Sequence, residues 1–242
     1  MRVCLLLLAL SLSRVAWAGV RLDFQDESDK SEPVQRLKVS GDKLRYERGN
    51  SGSTQATIFD GTQIIIVSDK SKTYTVIDQA TLQKYAEAMK QMETQLPPEA
   101  RARYEKAMGD QGGNIGKFTF QKASGGDTVA GFSCSNYTES HNGEVRATIC
   151  AASWKSGPLH KEELGGLKKI SALLTNSGGL VKKSFFFDPD EWPGFPVLTR
   201  TVDGKVTRLT AVTRGDIPDS DFQPPAGYAR KAMSPMGRGG AE

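Results

Sequence analysis

Between positions 34 and 78 the chain alternates apolar and charged residues around tight turns, and few folds accept such a pattern. Gln35-Arg36-Leu37-Lys38-Val39-Ser40 and Lys43-Leu44-Arg45-Tyr46-Glu47-Arg48 flank Gly41-Asp42. A period of two on either side of a two-residue turn is the signature of a β-hairpin. That turn pairs Leu37 with Tyr46 and Val39 with Leu44 on one face, and leaves Arg36, Lys38, Lys43, Arg45 and Glu47 on the other. The result is a sheet with one apolar and one wet side. Further strands are expected at 54–59, 62–67 and 72–78, with turns at Asp60-Gly61 and Ser68-Asp69-Lys70-Ser71. The run Ile64-Ile65-Ile66-Val67 does not alternate, so it is expected to be covered on both faces, with the segment that follows as the nearest cover.

From 79 to 96 the period changes. Leu82, Tyr85, Met89, Met92 and Leu96 recur at helical spacing with Lys84, Glu87, Lys90 and Glu93 opposite, after a potential N-cap at Asp78. Pro97-Pro98 ends that helix and can open a second one through Met108, which the glycine-rich stretch Gly109 to Gly116 terminates. Strands are expected again at 117–122, 128–139 and 145–154. A helix follows at about 160–174 with Leu164, Leu167, Ile170, Leu173 and Leu174 as its buried stripe. Phe185-Phe186-Phe187, Trp192 and Phe195 cluster between turn residues. A hairpin at 196–202 and 205–213 turns on Asp203-Gly204. Residues from Ala229 onward show no periodicity and read as a disordered tail, 229–242. Strands, helices, strands, helix, strands in that order describe a mainly β (α+β) single domain over 19–228. The fitting architecture is a curved antiparallel sheet or unclosed β-barrel with helices packed in its concave face.

The first 18 residues read as a secretory signal peptide. Arg2 precedes a leucine-rich run from Val3 to Leu12, and Ala16-Trp17-Ala18 is a small-x-small cleavage site with Gly19 after the cut. Cleavage would lower Lys+Arg from 32 to 30 against 28 acidic residues. So balanced a charge gives no concentrated basic surface for nucleic acid or an anionic membrane. Mean hydropathy of −0.43 describes a soluble globular chain with no transmembrane span in the mature part. The expected location is the periplasm of a Gram-negative envelope, or outside the cell, and the expected state is a monomer.

Cleavage also removes Cys4, leaving Cys134 and Cys150 as an isolated pair that should form a disulfide in an oxidising compartment. Asn142-Gly143 is the strongest hairpin turn of the chain. A three-residue loop His141-Asn142-Gly143 with Gly143 left-handed would set Ser140 opposite Glu144 and Cys134 directly opposite Cys150. A two-residue loop would put the cysteines out of register.

Catalytic and metal chemistry finds little support. The two histidines, His141 and His160, lie in no ligand spacing, and no Gly-x-Ser-x-Gly, phosphate loop or dinucleotide fingerprint occurs. Asp188/Asp190 and Asp219/Asp221 sit beside prolines, where aspartate caps turns. No metal, cofactor or enzymatic activity is expected.

Four segments, "KVSGDKLRYE", "IFDGTQIIIVSDKSKTYTVID", "VAGFSCSNYTE" and "DEWPGFPVLTRTVDGKVTRLTAVTRGDIPDSDFQPPAGY", resemble in order and spacing an exported bacterial family of unknown function. That family is related to the LolA/LppX-like periplasmic lipoprotein carriers. The likeness spans roughly 20 to 230 and implies a LolA-like fold, an unclosed barrel whose lumen takes acyl chains or other apolar ligands. On that reading Leu37, Val39, Tyr46, Ile65, Tyr74 and Val76 would line a cavity, with Met89 and Met92 as an adaptable helical lining. The expected function is a non-enzymatic binding or carrier protein for a lipid, a lipidated molecule or another apolar ligand. The alternative is an envelope stress sensor or protein-interaction module with the barrel filled by its own side chains. In that case Phe185–Phe187, Trp192 and Phe195 would offer a contact patch to an envelope protein partner.

Overall fold

The computed structural model describes residues 19–27, 34–49, 54–101, 118–175 and 189–233. The signal segment with Ala16 and Ala18, the Phe185–Phe187 run and Asp188 therefore lie outside the described residues, as does the second helix beyond 101. Twelve strands form one sheet: β1 Gly19–Asp26, β2 Gln35–Ser40, β3 Lys43–Arg48, β4 Gln55–Phe59, β5 Ile64–Ser68, β6 Thr73–Ile77, β7 Phe118–Val129, β8 Phe132–His141, β9 Glu144–Ala152, β10 Phe195–Thr201, β11 Val206–Gly215 and β12 Ala229–Lys231. Their spatial order is β12-β6-β5-β4-β3-β2-β1-β11-β10-β9-β8-β7, all antiparallel except β12 on β6. Among the described residues, α1 Gln79–Gln95 and α2 Gly165–Thr175 complete the frame, the latter entered through a 3-10 turn at Lys161–Leu164, and a further helical stretch begins at 98–101.

The sheet is mainly β, open and curved. β7 and β11 are separated by four strand spacings, about 19 Å on a flat sheet, yet Arg208 Nη1 on β11 lies 3.8 Å from Asp127 Oδ2 on β7. The sheet must curl to bring them together. Asp127 pairs in register with Cys134, and Arg208 with Leu198. Both partners belong to the main core, so the face that carries this core is the concave one.

The β2–β3 register follows the reading from sequence, with Leu37 opposite Tyr46 and Val39 opposite Leu44. Val39, Leu44, Phe59 and Ile64 form one buried row across the concave face, joined by Leu82 of α1 and by Leu164, Ile170 and Leu174 of the second helical unit. The α2 N-terminus presses on the β2–β3 turn so closely that a Cβ on Gly166 would stand 2.4 Å from the Asp42 carbonyl oxygen. Only glycine permits that approach. Lys169 Nζ then reaches Asp42 Oδ2 at 2.5 Å.

The Ile64–Val67 strand is covered on two sides, but not by one element. Leu82 shares the core with Ile64, whereas Ile65 and Val67 pack on the convex face under Phe222, Ile217 and Tyr228. Ile66 stays 46% exposed. The cover expected from the following helix thus comes half from the far C-terminus.

Several boundaries depart from expectation. β1 does not stand out in the sequence, although it is central, pairing β2 on one side and β11 on the other. β7 runs through to Val129 and turns at Ala130-Gly131, both at positive φ, so the strand expected over 128–139 is split by a hairpin. The tail expected from Ala229 is corrected as well. Ala229–Lys231 is a parallel strand on β6, pairing Ala229 with Thr73 and Lys231 with Thr75. Residues beyond 233 lie outside the described residues.

The disulfide joins Cys134 and Cys150 with Cα atoms 5.3 Å apart. The loop that accompanies it is not the expected one. Asn142 and Gly143, at φ of 56° and 81°, make a two-residue turn with His141 opposite Glu144. A bulge then shifts the register between Glu139 and Ser140, so that Cys134 pairs with Ala152 and Asn136 with Cys150. The turn alone would put the cysteines on opposite faces, and the one-residue bulge returns them to the same face. They bridge diagonally.

A second tie fastens the helical unit to the sheet. Arg214 of β11 donates to Glu163 through Nη1–Oε1 at 2.6 Å and Nη2–Oε2 at 3.2 Å, and to the Pro158 carbonyl at 3.0 Å. Glu163 Oε2 also accepts the His160 amide at 2.8 Å. Burial pushes this carboxyl up, but the Arg214 hydrogen bonds, the His160 amide and the guanidinium charge outweigh it and hold the group below its ordinary value.

Replacing both cysteines with serine should lower stability by about 3 kcal/mol on the chain-entropy model, a fall in Tm of roughly 6–12 °C. Reductant should lower the wild-type Tm towards that of the variant and leave the variant unchanged. Arg214→Ala should cost roughly 1–3 kcal/mol at neutral pH by leaving Glu163 without its charged partner. A carboxyl held low in the fold stabilises above its ordinary value and loses that contribution as pH falls through the folded value. Denaturant melts from pH 7 down to pH 3 should therefore show the gap between wild type and Arg214→Ala narrowing on acidification.

Candidate functional site

The eight residues expected to line one cavity are divided by the sheet. Val39 is buried in the concave core at 2% exposure, with Leu37 partly buried against it. Tyr46, in register with Leu37, is 41% exposed, and its hydroxyl donates to Gln35 Oε1 at 2.7 Å. Ile65, Tyr74 and Val76 point the other way, into the convex cluster with Phe222. A continuous apolar run carries no period, so the sequence does not tell which of its residues face in. Met92 is half-buried on α1, and the Met89 side chain lies outside the described residues.

What the structure does bring together is a groove at the β6–β12 edge. One cavity of about 460 Å³ is lined by Val76 of β6, by Thr81, Lys84 and Tyr85 of α1, and by residues 230–233. A second, of about 330 Å³, lies on the convex side between Ile65, Tyr74, Val76, Phe222 and Pro224, with Asp60 and Gln63 at its rim. Val76 and Arg230 line both, so the two adjoin. Each volume falls within the roughly 300–1,000 Å³ of ordinary ligand sites.

Three elements build this groove, each for a local reason. Asp78 caps α1 by accepting the Thr81 amide at 2.7 Å, which fixes where Lys84 and Tyr85 project. Hydrogen bonding from Thr81 and the nearby Arg230 charge hold the Asp78 carboxyl below its usual range, so it is ionised. β12 is delivered by Tyr228, whose hydroxyl bonds Asp69 and accepts from Lys72 Nζ at 3.0 Å, while the Ala229 amide donates to the Lys72 carbonyl at 3.0 Å. The Asp60 carboxylate is held by its own loop, accepting from Thr62 N at 2.9 Å and Gln63 N at 3.0 Å.

The electrostatics of the groove contrast with those of the convex face nearby. There Asp23, Arg36, Glu47, Arg45, Lys38 and Asp221 form a chain of ion pairs, with Arg36–Asp23 at 2.7 Å and Lys38–Asp221 at 2.9 Å. Lys84, Arg230 and Lys231 make no ion pair with any described residue. The sequence placed Lys84 on the polar side of α1 and put Arg230 and Lys231 in a tail. Only the three-dimensional pairing of β12 with β6 joins them, and no motif announces it.

The aromatic cluster is also divided. Phe195 is core at 6% exposure. Trp192 is half-buried on the outer face of the β7–β9 end, with its ring centroid 4.7 Å from that of Phe120. Asp219 and Asp221 lie in a 3-10 turn and pair with Lys43 and Lys38, and Asp190 pairs with Lys168. Among the described residues, no group of three or more His, Cys, Asp or Glu is placed to hold a metal ion, and no helix is long and apolar enough to cross a membrane.

No family model and no curated protein matches the chain. Among solved structures, an uncharacterised conserved protein from Thermus thermophilus aligns over 90% of this chain and 91% of its own at 7% identity, with a TM-score of 0.45. PNGF-II aligns over 89% of this chain at 9% identity and a TM-score of 0.43, and the match covers 32% of PNGF-II. MucB aligns over 88% of this chain and 59% of its own at 13% identity, with a TM-score of 0.37. The chain thus spans less than two thirds of the matched PNGF-II and MucB chains. The Pseudomonas aeruginosa protein is also seen in a complex with MucA.

Proposed function

We propose that this protein is an exported, monomeric binding module of the Gram-negative envelope that carries a lipid, a lipidated molecule or another apolar ligand, and that it is not an enzyme. The groove at the β6–β12 edge carries this reading, because it joins an apolar floor to a polar rim at ligand size. The Cys134–Cys150 disulfide supports an oxidising compartment. Binding then belongs to the edge of the sheet, since Val39 and Leu44, which would face a lumen, are packed under α2 and Leu82.

A second reading is an interaction module, the role of an envelope stress sensor. Tyr46 and Ile66 favour it. They lie on the concave face in one register row with Leu37 and Thr57, and are left open at 41% and 46%. A protein segment could cover them.

Denaturing extraction of protein purified from the periplasm, followed by lipid mass spectrometry, tests the first reading. Near-stoichiometric recovery of an amphiphilic or apolar compound is expected. Protein that is empty and also leaves a fluorescent fatty acid unbound would contradict it.

A further inference from the structure

We infer that the ligand of the edge groove is an anionic amphiphile of small-molecule size. Its apolar part would lie against Val76, Tyr85 and Met233, and its head group would be held by Lys84, Arg230 and Lys231. The inference rests on the binding reading above and adds the charge of the cargo.

Three cations line one cavity, and none of them makes a close ion pair with a described carboxylate. Two acidic groups beside the groove are otherwise engaged: Asp78 holds the α1 cap, and Asp60 holds its own loop. Asp78 lies near enough to Arg230 for the guanidinium to help keep it ionised, so it offsets one positive charge of the three. Lys84 and Lys231 make no close ion pair with a described residue. Gathering like charges is unfavourable unless a counter-charge arrives, and a partly enclosed cavity strengthens its attraction for an anion. On the neighbouring convex face Lys38, Lys43, Arg36 and Arg45 all reach carboxylates.

Placement suits an elongated ligand. Arg230 pairs in register with Tyr74 and lines both cavities, so it stands where they join. The neighbouring cavity continues the apolar surface through Ile65, Phe222 and Pro224. A head group at Arg230 could send its chain into either cavity. Tyr85 and Met233 present adaptable, mostly apolar surface beside the basic groups.

The test titrates the mature, disulfide-bonded protein with four probes that share one fluorescent acyl chain. Their head groups are carboxylate, phosphate monoester, methyl ester and primary amine, and binding is read by fluorescence anisotropy at low and high salt. An anionic probe should bind at least about tenfold tighter than the ester, with the amine weakest and the preference falling as salt rises. Carboxylate over phosphate would point to a free fatty acid, and the reverse to a phospholipid-type head. Lys84→Glu/Lys231→Glu should abolish the preference for the anionic probes over the ester; Lys84→Gln/Lys231→Gln serves if charge reversal impairs folding. Equal binding of ester and anions, unaffected by the variants, would overturn the inference and leave the binding reading intact. Failure of every probe to bind would overturn both.

Discussion

The contact of Phe222 with the convex face of β4, β5 and β6 is what the site end of the molecule depends on. Its ring, 1% exposed, belongs with Ala56, Ile58, Ile65, Val67 and Val76. Those strands already commit one face to the concave core. Without the C-terminal segment their other face would be an apolar surface in water. Burying one phenyl ring contributes about 1.5–3 kcal/mol, and removing it from a packed site costs about 3–5 kcal/mol. The ion pairs of the same segment are weaker anchors. Lys43 meets Asp219 at 2.7 Å, but that carboxylate is 78% exposed, and such pairs contribute about 1 kcal/mol at most. Apolar contact holds the segment down; the charges set where it lies.

The groove follows from that placement. Beyond Phe222 and Ile217 the chain leaves along the β6 edge, where Tyr228 meets Asp69 and Lys72, and β12 adds as a short parallel strand. This caps an edge that would otherwise offer unpaired backbone to other chains. It also brings Arg230 and Lys231 to the cavity that Tyr85 and Lys84 line. Gly19 belongs to the same arrangement: a Cβ there would stand 2.7 Å from Ile217 Cγ1, so the first residue of β1 leaves room for the C-terminal cover. The start of β1 therefore meets the beginning of the C-terminal segment, at Ile217, on the convex face.

Where periodicity was strong, the fold could be read from residues alone. The alternation of 35–48 gave the β2–β3 register, and the leucine spacing of 164–174 gave α2 and its buried face. The Asn-Gly turn and the cysteine pair gave the disulfide, although the bulge that makes its geometry possible has no sequence mark. Legibility failed where period was absent or pairing was distant. Ile64–Val67 is apolar throughout, so Ile65 could not be assigned to the convex side. Ala229-Arg230-Lys231 has no strand signature, and becomes a strand only because Tyr228 is anchored to a turn 159 residues earlier. The binding groove combines both cases, with Val76 from a strand of ambiguous facing and two basic residues from an apparent tail.

Amide hydrogen exchange of Phe222→Ala beside wild type tests the dependence of the site on the C-terminal contact most directly. Protection should fall in β4–β6 and β12, on both sides of the groove, and stay near wild type in β8 and β9, where the disulfide and the α2 unit act independently of Phe222. An even loss across all twelve strands, or unchanged protection in β6 and β12, would contradict the account.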